Sequence, residues 1–163
     1  MNATPFHILA LDSLEKQQTL TKQLLNLLKL EYKTLNTNYV DPLDEIINDK
    51  QPLIIELDAL NQHWLSLIAT ESVETSPKGI EGFLKHYDQI NNTTLLHQWL
   101  SLQNMAKDCQ KTNTINGTII ALRYQSTQQT LSILRGQAPG DSTYDPHGNN
   151  TTGYSGGKAI AKA

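Results

Sequence analysis

The sequence predicts an all-α protein: long antiparallel helices in a hairpin or bundle of coiled-coil character, one shorter helix and a flexible C-terminal tail. First, apolar residues in 92–136 recur alternately every four and three positions over about six heptads, without a proline. Second, earlier stretches show helix starts followed by similar spacing. Third, residues 137–163 are rich in Gly, Ser, Thr and Asn and lack periodicity, so they bury too little apolar surface to order themselves. These observations predict a helical domain at 1–136 and a tail at 137–163.

The first helix has two reasonable starts. Pro5 suits the first position of a helix capped by Thr4, whereas Asp12 and the glutamate three residues later match a capping box. The apolar periodicity that follows predicts one packed seam along this helix. Its predicted members are Leu11, Leu14, Gln18, Thr21, Leu25, Leu28, Tyr32, Leu35 and Tyr39.

The second helix is expected to start at Asp41, with Pro42 in its first turn. Three columns of residues then repeat every seven positions, and a face this broad predicts burial against more than one neighbouring helix. The columns are Leu43/Lys50/Leu57/Trp64, Ile46/Leu53/Leu60/Leu67 and Ile47/Ile54/Asn61/Ile68. Pro52 interrupts the pattern and predicts a kink or a short break, because it lacks an amide donor.

A shorter amphipathic helix is predicted over residues 79–90, after a loop that ends at Ser76 and Pro77. Its apolar side consists of Ile80, Phe83, Leu84 and Tyr87. Asn92 and Thr93 then serve as N-cap candidates for the long last helix, and Gly136 is placed to end it.

The long helix carries two asparagines, Asn113 and Asn116, on its predicted seam. An asparagine on a seam costs stability but can fix a register or a partner. Both interpretations stay open: a polar layer inside a helical hairpin, or a site that specifies a partner. Gly117 costs about 1 kcal/mol in a helix interior relative to alanine, and it lets another backbone approach closely. The full seam is Leu95, Trp99, Leu102, Ala106, Cys109, Asn113, Asn116, Ile120, Tyr124, Thr127, Leu131 and Leu134.

Three groups of residues resemble the FlgN family. They are Cys109-Gln110 followed by Asn113-x-x-Asn116-Gly117, then Gln128-Gln129-x-Leu131-x-Ile133-Leu134, and a tryptophan near the start of the last helix, Trp99. In the tail, Tyr144 and Gly148 resemble the tyrosine-x-x-x-glycine element of that family, and residues 156–160 resemble the end of its members. The resemblance covers nearly the whole chain.

This resemblance implies a cytoplasmic chaperone of flagellar type III export that binds hook-associated proteins, FlgK- and FlgL-like, and delivers them to an FlhA-like export gate. The export ATPase complex is a further candidate partner. Seven residues are the candidates for binding substrate protein: Asn113, Asn116, Gly117, Ile120, Tyr124, Leu131 and Leu134. Internal packing of the bundle is the alternative role for all seven. Tyr144 and Gly148 are implied to dock on the export gate.

Other function classes are disfavoured by composition. The net charge is −6 over residues 1–90 and +3 over residues 91–163, and no basic run is dense enough to bind nucleic acid. The longest apolar runs fall well short of the roughly 20 residues that span a membrane. No histidine has metal-binding or phosphotransfer spacing, so neither an enzyme nor a cofactor is expected. A generic coiled-coil adaptor, or a structural subunit of a helical assembly, is the competing interpretation.

Overall fold

The computed structural model describes residues 5–37 and 41–136, which form four α-helices joined by short connections. These are α1 (Phe6–Leu35), α2 (Leu43–Thr70), α3 (Pro77–Asn91) and α4 (Leu95–Leu134). The predicted all-α fold, with three long helices and one shorter helix, is confirmed. The predicted tail at 137–163 and the seam residue Tyr39 lie outside the described residues.

Helix α1 begins at the earlier of the two predicted starts, directly after Pro5. Its buried seam shares Leu14, Thr21, Leu28 and Leu35 with the prediction, whereas Leu11 and Tyr32 are exposed. The predicted seam is therefore right at these four positions and wrong at two. The buried residues are Ala10, Ser13, Leu14, Gln17, Thr21, Leu28, Glu31, Thr34 and Leu35. The buried polar residues of α1 are tolerated because they have partners. Gln17 donates a hydrogen bond to Ser13 within α1, and Glu31 forms an ion pair with Lys50.

Helix α2 runs without a break through Pro52, so the short break is wrong, and the alternative that the sequence offered, a kink at Pro52, stays a prediction. Pro52 is exposed, where the loss of one backbone donor is tolerated. The predicted broad buried face is also wrong in the N-terminal half, where Ile47 and Ile54 are 42% and 46% exposed. The buried residues of α2 are Ile46, Trp64, Leu67 and Ile68, three of them in its last two turns.

The α3 helix starts at a cap. The side chain of Ser76 accepts a hydrogen bond from the Gly79 amide at 3.2 Å, and Pro77 occupies the first turn. A Cβ at Gly79 would lie 2.5 Å from the backbone oxygen of Glu74, so the tight turn requires glycine here. Asn92 ends α3 in the left-handed conformation, with φ of 53°.

The carboxylate of Asp88, on α3, caps the start of α4. It accepts hydrogen bonds from the backbone amides of Leu95 and Leu96 at 3.0 and 2.9 Å, and from the Thr93 hydroxyl. A carboxylate at a helix N-terminus satisfies donors that have no partner within the helix, and it interacts favourably with the helix dipole. The predicted caps Asn92 and Thr93 therefore act differently: Asn92 closes α3, and Thr93 binds the capping carboxylate.

The apolar core lies where α3 packs against the N-terminal parts of α1 and α4 and the C-terminal part of α2. Its buried members are Ala10, Leu14, Trp64, Leu67, Ile68, Ile80, Leu84, Leu95, Trp99 and Leu102. Three rings at the margin, those of Phe6, Phe83 and Tyr87, meet with centroid distances of 5.1–5.7 Å. The predicted apolar side of α3 is confirmed, since Ile80 and Leu84 are buried and Phe83 and Tyr87 pack against the core.

Helices α1 and α4 run in the same direction. Cys109 Sγ lies 3.6 Å from the carbonyl oxygen of Thr21. Seven residues further along both helices, Asn116 contacts the carbonyl oxygen of Leu28. Consecutive long helices are thus antiparallel. Packing divides the chain after Ile119 into two units, and the first of them holds all of the core.

Candidate partner-binding residues

A buried polar cluster joins α1, α2 and α4, and it is called the polar layer below: Glu31, Lys50 and Asn116. The Asn116 Nδ2 donates to the carbonyl oxygen of Leu28 at 2.9 Å and to Glu31 Oε2 at 2.8 Å. The other carboxylate oxygen of Glu31 pairs with Lys50 Nζ at 2.7 Å. Asn116 and Glu31 are only 1% and 3% exposed. One side chain from each long helix is therefore fixed at this level.

The polar layer is satisfied at most but not all of its atoms. Asn116 directs its amide NH₂ group towards both acceptors on α1, which leaves its own Oδ1 buried without a hydrogen bond from the described residues. A buried acceptor without a partner costs about 1–3 kcal/mol. The layer is therefore not the most stable way to fill this space, and apolar side chains of similar volume would fill it at least as well.

Asn113 and Gly117 lie on the outside of α4. Both are exposed, so the prediction that both asparagines lie on a packed seam is right for Asn116 and wrong for Asn113. At 100° per residue, Asn113 and Gly117 are rotated about 60° and 100° from Asn116. A Cβ at Gly117 would meet nothing within 4 Å, so no backbone within residues 5–37 and 41–136 uses the space that this glycine leaves open.

Four of the predicted binding residues belong to the C-terminal turns of α4 and are exposed. This exposed stripe consists of Ile120, Tyr124, Leu131 and Leu134, with exposures of 46%, 67%, 38% and 78%. At 100° per residue the four side chains share about 80° of the helix circumference. The stripe therefore forms one narrow apolar face that the other described residues leave exposed.

A further set of exposed apolar residues was not selected from the sequence. Leu122 and Ile133 are 61% and 63% exposed, and they lie on the side of α4 opposite the exposed stripe. Their spacing of 11 residues is three helical turns, a signal that the heptad pattern of the seam conceals. Glu31 was not selected from the sequence either. Lys50 stood out as a charged member of an apolar column, and that irregularity could have indicated a buried ion pair.

The remaining predicted site residues, Tyr144 and Gly148, lie outside the described residues, and their role stays a prediction. None of the helices within residues 5–37 and 41–136 has a stretch long and apolar enough to cross a bilayer. Cys109 is buried beside the Thr21 carbonyl, and burial together with the nearby Asp108 carboxylate raises the pKa of its thiol.

Comparison with known proteins assigns the chain to a family. A family model described as FlgN protein matches residues 10–152 of the 163 residues. A crystal structure described as a flagella synthesis protein FlgN from Pseudomonas aeruginosa is similar, with a TM-score of 0.62 and 23% identity, over 74% of this chain and 90% of that one. This structural likeness shows a shared fold. No curated protein sequence matches this chain significantly.

The fold defines an all-α protein of long packed helices whose last helix carries exposed apolar side chains. The chain belongs to the FlgN family, a non-enzymatic family of flagellar synthesis and export chaperones.

Proposed function

We propose that this chain is a cytoplasmic export chaperone that covers an amphipathic helix of a hook-associated protein, FlgK- or FlgL-like, until the protein is exported. The observation that carries the proposal is the exposed stripe of Ile120, Tyr124, Leu131 and Leu134. Apolar side chains that share one helix face and remain in water are typical of a surface that a partner covers.

The geometry of the stripe favours a helical partner. Its members are spaced by four, seven and three residues, which is the spacing with which one helix meets another in a coiled coil. Burying a side chain of this size is worth about 1.5–3 kcal/mol, so the four members of the stripe together contribute about 6–12 kcal/mol, which is of the same order as the cost of association. The stripe therefore contributes strongly to affinity, together with further contacts around it. A helix that would otherwise polymerise through the same apolar face is then kept monomeric.

The distribution of charge along the chain favours a partner helix with acidic flanks. Between Asp108 and the end of α4, the helix carries no acidic residue, whereas residues 1–90 have a net charge of −6. A partner helix with acidic flanks is therefore attracted to the C-terminal part of α4 and not to the acidic first three helices.

Serine substitutions in the stripe test the proposal directly. The double variant Tyr124→Ser/Leu131→Ser should bind a purified FlgK-like protein at least tenfold more weakly in a calorimetric titration, because two apolar contacts are lost. The matched control is Ile55→Ser/Ile90→Ser, which alters two residues, each 68% exposed, on other helices. The control should stay within about twofold of the original affinity.

Two results would count against the proposal. If the unmodified chain fails to bind FlgK- and FlgL-like proteins, the result favours the competing interpretation of a generic coiled-coil adaptor. If both double variants bind equally well, a hook-associated protein is bound elsewhere on the chain.

Delivery to the export gate is the second part of the proposal and concerns the tail. Tyr144, with Gly148 four residues later, is proposed to dock on an FlhA-like cytoplasmic domain, since a tyrosine ring offers a large contact area with little entropy to lose. In the same titration format, Tyr144→Ala should lose affinity for the gate domain while keeping its affinity for the FlgK-like protein. Tyr154→Ala is the matched control, and loss of both affinities in Tyr144→Ala would assign this tyrosine to substrate binding.

A further inference from the structure

We propose that Glu31 and Lys50 are positioning residues for the outward pair, Asn113 and Gly117, and that they act through Asn116. The proposal rests on the proposed function, because it takes Asn113 and Gly117 as two of the seven candidate residues for binding substrate protein. Its structural part stands independently. Neither Glu31 nor Lys50 is expected to touch a partner, since their side chains are 3% and 13% exposed and face the interior of the bundle.

The apolar core alone does not fix which side of α4 faces the bundle at this level. The last core residue of α4 is Leu102, two heptads before Asn116. A helix drifts by about 20° per heptad relative to a strict heptad seam, and hence by about 40° over this distance. That drift is comparable to the roughly 60° that separates Asn116 from Asn113. Either asparagine could therefore face inward with little strain.

The side chains between Leu102 and Asn116 do little to determine which asparagine faces inward. Ala106 is exposed although it lies on the predicted seam, and Cys109 is the single buried residue of α4 between Leu102 and Asn116. Its thiol makes only a weak, 3.6 Å contact with the Thr21 carbonyl. Packing of one small side chain does not define a rotation to within a few tens of degrees.

The polar layer supplies the missing constraint. Asn116 donates to two acceptors on α1 that are separated by three residues, and Lys50 of α2 holds one of them, the Glu31 carboxylate, in place. Hydrogen bonds are directional, so two of them fix the rotation of α4 far better than apolar contacts do. The best-attested use of a polar residue on an apolar seam is to select one arrangement among several, at a cost in stability. The unsatisfied Asn116 Oδ1 is consistent with that cost.

An apolar triple variant tests the assignment: Glu31→Leu/Lys50→Met/Asn116→Leu. Its thermal midpoint should be unchanged or higher, because no buried charge or amide remains. Its affinity for the FlgK-like protein should fall at least tenfold, because α4 no longer holds Asn113 and Gly117 outward. The matched control is Ser13→Ala/Gln17→Leu, which removes a buried polar pair that lies within α1 alone, and it should leave the affinity within about threefold.

A distance measurement provides the readout that does not need a partner. Spin labels at the exposed positions Lys33 and Thr114, in a Cys109→Ala background, report the orientation of α4 relative to α1. Rotation by about 60° moves a side chain at the helix surface by about 5 Å. The triple variant should therefore show a shifted or broadened distance distribution, whereas the Ser13→Ala/Gln17→Leu control should not.

A conservative variant, Lys50→Arg, keeps a cation beside the Glu31 carboxylate and should retain both the narrow distribution and the affinity. If the triple variant does not fold, Asn116→Ala carries the same distance measurement. An unchanged distance distribution in the apolar variants would overturn the proposal, as would full affinity in the triple variant. If the unmodified chain does not bind the FlgK-like protein, the proposed function fails, and the distance measurement still decides whether the polar layer orients α4.

Discussion

Helix α4 is held in two different ways, at the level of Trp99 and at the level of Asn116. Around Trp99, apolar side chains from all four helices form the core, and one polar link lies beside it, from Gln18 Nε2 to the carbonyl and side-chain oxygens of Gln98 at 2.8 and 2.9 Å. Around Asn116, one amide, one carboxylate and one ammonium group meet among three helices. Apolar packing is strong but tolerates rotation and sliding, whereas hydrogen bonds are weak in net terms but directional. The first level therefore supplies most of the stability, and the second, where apolar packing is sparse, depends on hydrogen bonds for its orientation.

Leucine truncations should show the largest difference between buried and exposed parts of the chain. Leu84→Ala should lower the free energy of unfolding by about 2–5 kcal/mol, because Leu84 is fully buried and its loss leaves a cavity in the core. Leu122→Ala, at 61% exposure, should change it by less than about 0.5 kcal/mol. Urea unfolding followed by circular dichroism measures both. Similar losses in the two variants would mean that Leu122 is packed in solution.

Two glycine-to-alanine substitutions should have opposite signs. Gly79→Ala places a Cβ against the Glu74 carbonyl and should destabilise the protein by about 1–3 kcal/mol. Gly117→Ala meets open space in mid-helix and should stabilise it by about 1 kcal/mol, through helix propensity.

Gly82→Ala is the control for the propensity gain alone, since that glycine also lies in a helix with open space around it. The thermal midpoints of the three variants measure the sign and size of each change in stability. A destabilising Gly117→Ala substitution would show that a neighbouring part of the chain already fills the space beside residue 117.

The smallest expected effect concerns Cys109, which lies between the two levels of α4. Burial and the Asp108 carboxylate raise its pKa, while Lys29 lowers it, so the thiol stays protonated in the folded state above its ordinary pKa of about 8.5. Its contribution to stability is therefore complete below that pH and is lost as pH rises through the folded-state pKa. Cys109→Ala should lose less stability than the unmodified chain as pH rises above the ordinary pKa of a thiol. Parallel pH profiles for the two proteins would contradict this linkage.

Features that depend on neighbouring residues in the sequence were predictable. The existence of the helices, the apolar side of α3 and the role of Gly136, which follows α4 with φ of 72°, each rest on a few consecutive residues. The cap of α4 was not predictable in the same way. Asp88 looked like one more polar residue at the end of a short helix, and its capping role depends on how the chain turns after Asn92.

The seam of α1 shows where sequence reasoning ends. Leu14 and Leu28 belong to two possible heptad seams, one completed by apolar residues such as Leu11 and the other by polar ones such as Glu31. Apolar periodicity favours the first. The structure keeps Thr21 and Leu35 of that seam but buries Glu31 in place of Tyr32, because Lys50 and Asn116 complete the polar layer. The same dependence on distant partners explains why Asn113 and Asn116 could not be told apart in the sequence.

Asp88 and Asn116 also differ in how much chain their contacts enclose, and this has a consequence for the order of folding. The Asp88 cap closes a loop of seven residues, whereas the bond from Asn116 to Glu31 closes one of 85. The entropy of loop closure makes the longer loop more costly by about 2 kcal/mol. We therefore expect the corner between α3 and α4 to form early in folding, and the polar layer to close only after the apolar core has brought the three long helices together.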